Sequence, residues 1–367
     1  MSINSEHLYI NTFNLISGIG PQKLYLIAEY FESFEQAWHA TEEELEKAGL
    51  TSKLILNITK AKKSIDPEKE FQKLRDEKIE IITVQDEYFP KNLKTIYSPP
   101  FLLYVRGNIE ALNKPSITVV GSRKISDYGK HAISTIVRDI ARNKIVIVSG
   151  LALGTDALAH RETLDTGGTT IAVLAGGIDD RTITPRSHFN LAKQILNTDG
   201  AIISEYPIDT QPTRGTFPTR NRIMAGLTDA TIIIEATKKS GTLTTAQHAN
   251  KFGRKLFALP GSIFANNSVG PNMLIRDEKA KALLCAKDIF ETVGTGFKPI
   301  PTKKQIFTNK NQKLLYKTIK KHPSGAQINL IIKETKLEGS IISSELTILE
   351  INGIIKNIGN QTYILVH

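Results

Sequence analysis

The sequence predicts a doubly wound α/β fold, a largely parallel sheet with helices on both faces, set between a small helical head and a helix-and-ribbon tail. Three observations predict it. From about residue 115 to 290, short β-branched apolar runs alternate with amphipathic helical stretches, as buried parallel strands with helical crossovers do. Each run ends in small residues, the turn chemistry of a strand opening onto a helix. No internal repeat or low-complexity tract competes with this reading, and 367 residues leave room for two or three domains.

Residues 1–65 read as short helices around the turn Leu15-Ile16-Ser17-Gly18-Ile19-Gly20-Pro21, a helix-hairpin-helix (SAM-like) head. Leu24, Ile27, Ala28 and Phe31 share one helical face beyond that turn, and Thr41 with Glu44 makes a capping box for a helix ending near Gly49. A Gly-Ile-Gly turn can offer backbone N–H groups to a DNA phosphate, and a tight packing turn explains it as well. Extended runs at 79–84 and 101–105, separated by Pro90, Pro99 and Pro100, are expected to lead into or edge a central domain over 80–292. Its strands are 117–120, 145–148, 170–174, 201–204, 231–234 and 255–259; Ile133, Ile136, Val137 and Ile140 form the apolar face of the helix between the first two. Residues 293–309 lack periodicity and read as a linker. Helices near 311–321, 325–334 and 340–352, then strands 354–358 and 362–366 turning at Gly359-Asn360, make 310–367 a winged-helix module.

The formal net charge of +10 suggests a polyanionic partner. Cys285 is the sole cysteine, which excludes an intrachain disulfide and a thiolate-rich zinc site. With no signal-peptide pattern and no apolar run of spanning length, a cytoplasmic protein without membrane contact is expected.

In a doubly wound sheet, ligands bind beyond the carboxyl ends of the strands. The residues found there are Gly121-Ser122-Arg123-Lys124, Ser149-Gly150, Gly176-Gly177, the stretch Arg220-Asn221-Arg222 after Tyr206-Pro207, Glu235 ahead of Ser240-Gly241-Thr242, and Pro260-Gly261-Ser262. Small residues let backbone amides approach a phosphate, helix N-termini add partial positive charge, and arginine supplies forked donors. Together they read as a polyanion cradle. Arg220 and Arg222 could instead pair with Glu235 or Asp229, whereas Arg123, at a strand end beside two small residues, faces the crevice.

Catalytic groups are sparse. The spacing after Gly121 is not G-x-G-x-x-G, no P-loop occurs, and no G-x-S-x-G elbow is present, so no dinucleotide cofactor is expected. His160, His188 and His248 lack metal-ligand spacing, so no metal is expected; packing or surface roles suit the helical His160 and His248. Glu235 is the one carboxylate considered as a base, and accepting bonds from neighbouring loops explains it equally well.

These segments resemble the DprA/Smf family. The resemblance rests on Val119-Val120-Gly121-Ser122-Arg123, the stretch Ser149-Gly150-Leu151-Ala152-Leu153-Gly154-Thr155-Asp156-Ala157-Leu158-Ala159-His160-Arg161, Ile202-Ile203-Ser204-Glu205-Tyr206-Pro207, Phe217-Pro218-Thr219-Arg220-Asn221-Arg222-Ile223, Ser240-Gly241-Thr242-Leu243 and Leu259-Pro260-Gly261-Ser262. It covers about 99–290, with the head and tail agreeing in architecture only.

The resemblance implies an extended Rossmann-like domain that binds single-stranded DNA without established catalysis and forms a homodimer. It further implies a role in protecting incoming DNA and loading the RecA recombinase during natural transformation. Among the strand-end residues expected to contact DNA, namely Gly121, Ser122, Arg123, Lys124, Ser149, Gly150, Gly177, Arg220, Asn221, Arg222, Ser240, Gly241 and Thr242, the resemblance implies that Gly121, Ser122 and Arg123 hold phosphate. To these it adds Arg186, Phe189 and Asn190 in the segment where the family usually reads Tyr-Pro-x-x-Asn, with Phe189 either stacking on a base or packing in the core. Three departures stand out: Thr184 in place of that Tyr, Asp277-Glu278-Lys279-Ala280 where the family has a Gly-Ala pair, and Ala175-Gly176-Gly177 without the usual Thr. For the dimer, the apolar patch considered is Met273, Leu274, Ile275, Leu283 and Leu284. The alternatives are a nucleoside-monophosphate phosphoribohydrolase-like enzyme, whose Pro-Gly-Gly-x-Gly-Thr motif is absent here, and a sequence-specific regulator, which would rest on the winged helix alone.

Overall fold

The apolar runs fold as strands because both of their faces are covered. In the computed structural model, which describes residues 5–293, 307–322 and 325–365, nine strands form one sheet. They are β1 Ile79–Thr83, β2 Leu102–Gly107, β3 Ser116–Val120, β4 Val146–Ser149, β5 Thr170–Val173, β6 Ala201–Ser204, β7 Ala230–Ile233, β8 Lys255–Ala258 and β9 Lys281–Ala282. Their order is β1-β2-β6-β5-β4-β3-β7-β8-β9. Every residue of β3, β4, β5, β6 and β7 is buried, which is why these segments read as continuous apolar runs and not as alternation. All pairings from β6 to β9 are parallel. The proline-flanked runs form the antiparallel edge, β1 on β2 and β2 on β6. The order reverses at β3, so the crevice opens beyond the ends of β3 and β7.

The head contributes α1 Ser5–Asn14, α2 Pro21–Tyr30, α3 Phe34–His39, α4 Glu42–Lys47, α5 Ser52–Ser64 and α6 Pro67–Asp76. The capping box of α4 is formed, with Thr41 Oγ1 accepting from Glu44 N and Glu44 accepting from Thr41 N. Gly18 has φ +93°, and a Cβ there would lie 2.8 Å from Leu54 of α5. With Ile19 also buried, the Gly-Ile-Gly turn packs into the head. Phe13, Leu24 and Trp38 share one hydrophobic core with Leu102, Tyr104 and Ile202 of the sheet. The Tyr104 hydroxyl donates to Asn11 at 2.8 Å inside that core. The chain therefore divides into compact units at 1–299 and 300–367, with no division near residue 65. Most of the expected linker, 294–306, lies outside the described residues.

Along the sheet run α7 Lys91–Lys94, α8 Asp127–Arg142, α9 Thr155–Asp165, α10 Phe189–Leu196, α11 Thr216–Leu227, α12 Thr242–Lys251, α13 Val269–Arg276 and α14 Ala286–Val293. Ile133, Ile136, Val137 and Ile140 of α8 are buried, as their spacing predicts. The second unit holds α15 Lys310–Lys320, α16 Ile328–Thr335 and α17 Gly339–Ile351 on a sheet ordered β10-β12-β11. Its strands are β10 Ala326–Gln327, β11 Ile355–Asn357 and β12 Thr362–Leu365. Leu315, Ile331, Leu346 and Leu365 give it a core of its own. No helix among the described residues is long and apolar enough to cross a membrane.

Candidate nucleic-acid interface

Three strand-end loops are tied into one surface. After β3, Ser122 Oγ accepts from Lys124 N at 3.1 Å and closes a tight turn. The turn's carbonyls anchor the neighbouring loops: Ser122 O accepts from Thr155 N at 3.1 Å, and Gly121 O from Thr242 Oγ1 at 3.0 Å. The approach is close enough to demand glycine. A Cβ on Gly121 would lie 2.5 Å from Thr155 Oγ1, and Gly154, at φ +76°, would place one 2.4 Å from Ser122 O. Arg123 and Lys124 project from this turn and are exposed. The Arg123 guanidinium lies 5.4 Å from the centre of the Phe217 ring.

The loop after β4 is fixed from beneath. Asp156 Oδ2 accepts from Gly150 N at 3.1 Å and Ala152 N at 3.4 Å. Burial raises the Asp156 carboxyl above its ordinary pKa, opposed by nearby Arg220. Ser149 is buried, and its hydroxyl donates to Val119 O at 2.7 Å. Arg220, only 5% exposed, donates to Gly150 O at 2.8 Å and to Val173 O. Asn221 donates to Thr244 Oγ1 at 2.8 Å. Arg222 pairs with Glu205 and donates to Ser98 O at 2.9 Å. The carboxylates considered for Arg220 and Arg222 are occupied otherwise: Asp229 accepts from Ser116 N at 3.1 Å and from Asn92 at 3.0 Å. Glu235 accepts from Ser126 N at 3.0 Å and from Asn267 at 3.3 Å.

A second cluster follows β5. Gly177 is buried, and its N–H donates to Thr210 O at 2.8 Å. The Arg186 guanidinium stacks 4.1 Å from the centre of the Phe189 ring, and Lys193 lies 5.3 Å from it. Phe189 is half-buried and packs on the core. Asn190 is exposed. His188 Nδ1 bonds Leu151 O at 2.8 Å, tying this cluster to the loop after β4.

The structure thus brings Gly121–Lys124, Ser149–Gly150, Arg220–Asn221 and Ser240–Thr242 together. It turns Ser149, Gly177, Arg220 and Arg222 inward, because their polar groups are taken up by backbone or carboxylate partners. Residue-level reading missed Asp156 and Thr155 as organisers of the crevice; an Asp one residue into a helix that follows a glycine-bounded loop is the signal that could have found them. His160 is fully buried, and burial, with His188 and Arg220 nearby, lowers its pKa to about 3. Among the described residues no group of His, Cys, Asp or Glu is placed to hold a metal ion. Of the patch considered for dimerisation, Leu283 is fully buried in one hydrophobic core, Leu274 and Ile275 pack partly against another, and Leu284 is exposed.

Fold and site together define a class: a doubly wound α/β protein whose strand-end turns are locked to one another and carry exposed cations. A family model described as DNA recombination-mediator protein A matches residues 80–294, and the chain belongs to that family. It is 36% identical over 296 residues to protein Smf of Synechocystis sp., covering 79% of this chain and 73% of that protein. It is 39% identical over 218 residues to the DNA processing protein DprA of Bacillus subtilis, covering 59% and 72%. The crystal structure of DprA from Streptococcus pneumoniae superposes with a TM-score of 0.68 at 32% identity, covering 81% of this chain and all of that one. A structure of Helicobacter pylori DprA, described for its single-stranded-DNA binding mode, matches with a TM-score of 0.52 at 32% identity, covering 58% and 95%.

Proposed function

We propose that the chain binds single-stranded DNA across the carboxyl ends of β3, β4 and β7, protects it during natural transformation, and delivers it to the RecA recombinase. The observation that carries the reading is the Gly121–Lys124 turn: locked by its neighbours and topped by two exposed cations, neither in an ion pair with a carboxylate among the described residues. A rigid backbone turn with adjacent guanidinium and ammonium groups matches a phosphate. The likeness to the Helicobacter pylori protein supports a single strand as the polymer. Exposed Asn190 and the Arg186–Phe189 pair extend the same reading along the loop after β5, where an aromatic ring can stack on a base. The inward-facing Ser149, Gly177, Arg220 and Arg222 shape the crevice in this account and do not touch the strand.

The reading includes a homodimer and no catalytic step. Glu235, the one candidate base, already accepts bonds from Ser126 and Asn267, so nothing favours the phosphoribohydrolase alternative; AMP incubated with the protein should release no adenine. The deciding experiment titrates labelled oligonucleotides, single-stranded and duplex, at several salt concentrations. Tighter binding to the single strand, weakening steeply with salt, is the expected result. Equal or tighter binding to duplex would overturn it.

A further inference from the structure

On the far side of the Gly121–Lys124 turn lies a cleft of about 710 Å³, bounded by Ser126, Tyr128, Glu235, Gly261, Asn267 and Ser268. It opens at the switch between β3 and β7, opposite the cluster around Phe189. Asn267 joins it to the turn, its Nδ2 donating to Lys124 O at 2.9 Å. The loop after β8 forms one wall and is fixed at its root. Asn272 accepts from Gly261 N at 3.1 Å and donates to Gly261 O at 2.9 Å, and the Tyr128 hydroxyl donates to Pro260 O at 2.6 Å. From that root the loop holds Ile263 and Phe264 out in solvent, 80% and 93% exposed. An exposed phenylalanine on a braced loop, beside a turn bearing two cations, is not explained by packing.

The cleft is built for a base and not for a phosphate. Glu235 lies in its lining, where its charge would repel phosphate. Its oxygens accept three bonds, from Ser126 N, Ser126 Oγ and Asn267, leaving room for one more donor. The volume lies within the range of small-molecule sites and admits a nucleobase.

We propose that the 261–268 loop and this cleft form a second base-binding subsite for the strand anchored at Arg123 and Lys124, with Phe264 stacking on a base and the Glu235 side of the cleft accepting from a base edge. The proposal rests on the single-strand reading above and adds a contact on the opposite side of the anchoring turn.

The test uses the full chain, labelled single-stranded oligonucleotides, and the variants Phe264→Ala and Phe264→Trp. Phe264→Ala should weaken binding roughly ten-fold, the scale of one base–aromatic stack. Its salt slope should be unchanged, because every phosphate stays neutralised as before. Phe264→Trp should restore affinity, and its indole fluorescence should be quenched by the strand; the chain's own Trp38 is buried and supplies a steady background. Affinity within two-fold of the parent for Phe264→Ala, with no quenching in Phe264→Trp, would overturn the subsite and leave the anchoring turn standing. Loss of a dimer on Phe264→Ala at unchanged affinity would assign the loop to a second copy of the chain and overturn it as well. A parent chain that binds no single strand would remove both readings together.

Discussion

Arg123 and Arg220 stand on two sides of one crevice and do opposite work. Arg123 is exposed, with its guanidinium over the Phe217 ring and no ion pair to a carboxylate among the described residues, so Arg123→Ala should leave the melting temperature unchanged. It should weaken single-strand binding by about 1–3 kcal/mol, similarly for all sequences, and flatten the salt slope by roughly 0.7 for each phosphate the side chain had neutralised. Arg220 is buried between two carbonyls and close to Asp156. Arg220→Ala strands those partners and should cost about 3–5 kcal/mol of stability by chemical denaturation. A stable Arg220→Ala variant that no longer binds would show that the side chain reaches the strand. The sequence already sets the two arginines apart, since only Arg123 sits at a strand end beside small residues, but both are expected to contact the strand because the motif gives position and not direction. A signal for the difference was present: Arg220, Ile223, Met224 and Leu227 fall at helical spacing, and all four are buried on one face of α11. The contribution of Asp156 was less legible, because a buried carboxylate that serves backbone amides has no spacing signature of its own.

At the scale of elements, β-branched runs located the strands to within about a residue, because burial on both faces leaves little freedom in composition. The two-residue β9 and β10 carry no such pattern. Helix α6 was missed for another reason: it is highly charged and buries only Leu74. Its signal was the cap, Asp66 before Pro67, with the Asp66 carboxylate accepting from Glu68 N and Lys69 N at 3.2 Å. The same attention to side chains bears on α17, where a winged-helix arrangement would place its groove-reading residues. Gly339–Ile351 contains Glu345 and Glu350 and no Lys or Arg. Glu345 accepts from Asn309 and from Gln312 at 2.8 Å, so it serves the unit's own structure. A helix that reads DNA presents basic or amide groups to the groove. A fragment of residues 300–367 is therefore expected to show no sequence-preferring duplex binding in a titration. Nanomolar binding to one duplex sequence would contradict that assignment.

Across the whole molecule, the head and sheet share one core, which local sequence patterns could not reveal because the joining contacts are distant in the chain. A unit so joined should lose its structure cooperatively, and the fully buried His160 links that loss to acid. Thr170 Oγ1 donates to Ile147 O at 2.7 Å, so it must accept from His160 Nδ1 at 2.7 Å. The proton therefore sits on Nδ1, and Nε2 is left as a buried acceptor without a partner among the described residues. Protonating it would bury a charge beside His188 and Arg220, consistent with a pKa lowered to about 3. The unfolded chain takes up this proton near pH 6.5, and the folded chain only near 3. The neutral histidine's contribution is therefore fully present above pH 6.5 and is lost as pH falls from there toward 3. Between pH 7 and pH 5 the loss is about 2 kcal/mol. Asp156 and Glu205, whose pKa values burial raises, act in the opposite sense, since acid relieves their buried charge. The measurement that isolates the histidine is the difference between the parent and His160→Asn, whose amide can still donate to Thr170. His160→Asn should be less stable at pH 7, and denaturation at pH 7 and pH 5 should show its deficit shrinking. Parallel pH dependence in the two proteins would mean that His160 is not held neutral.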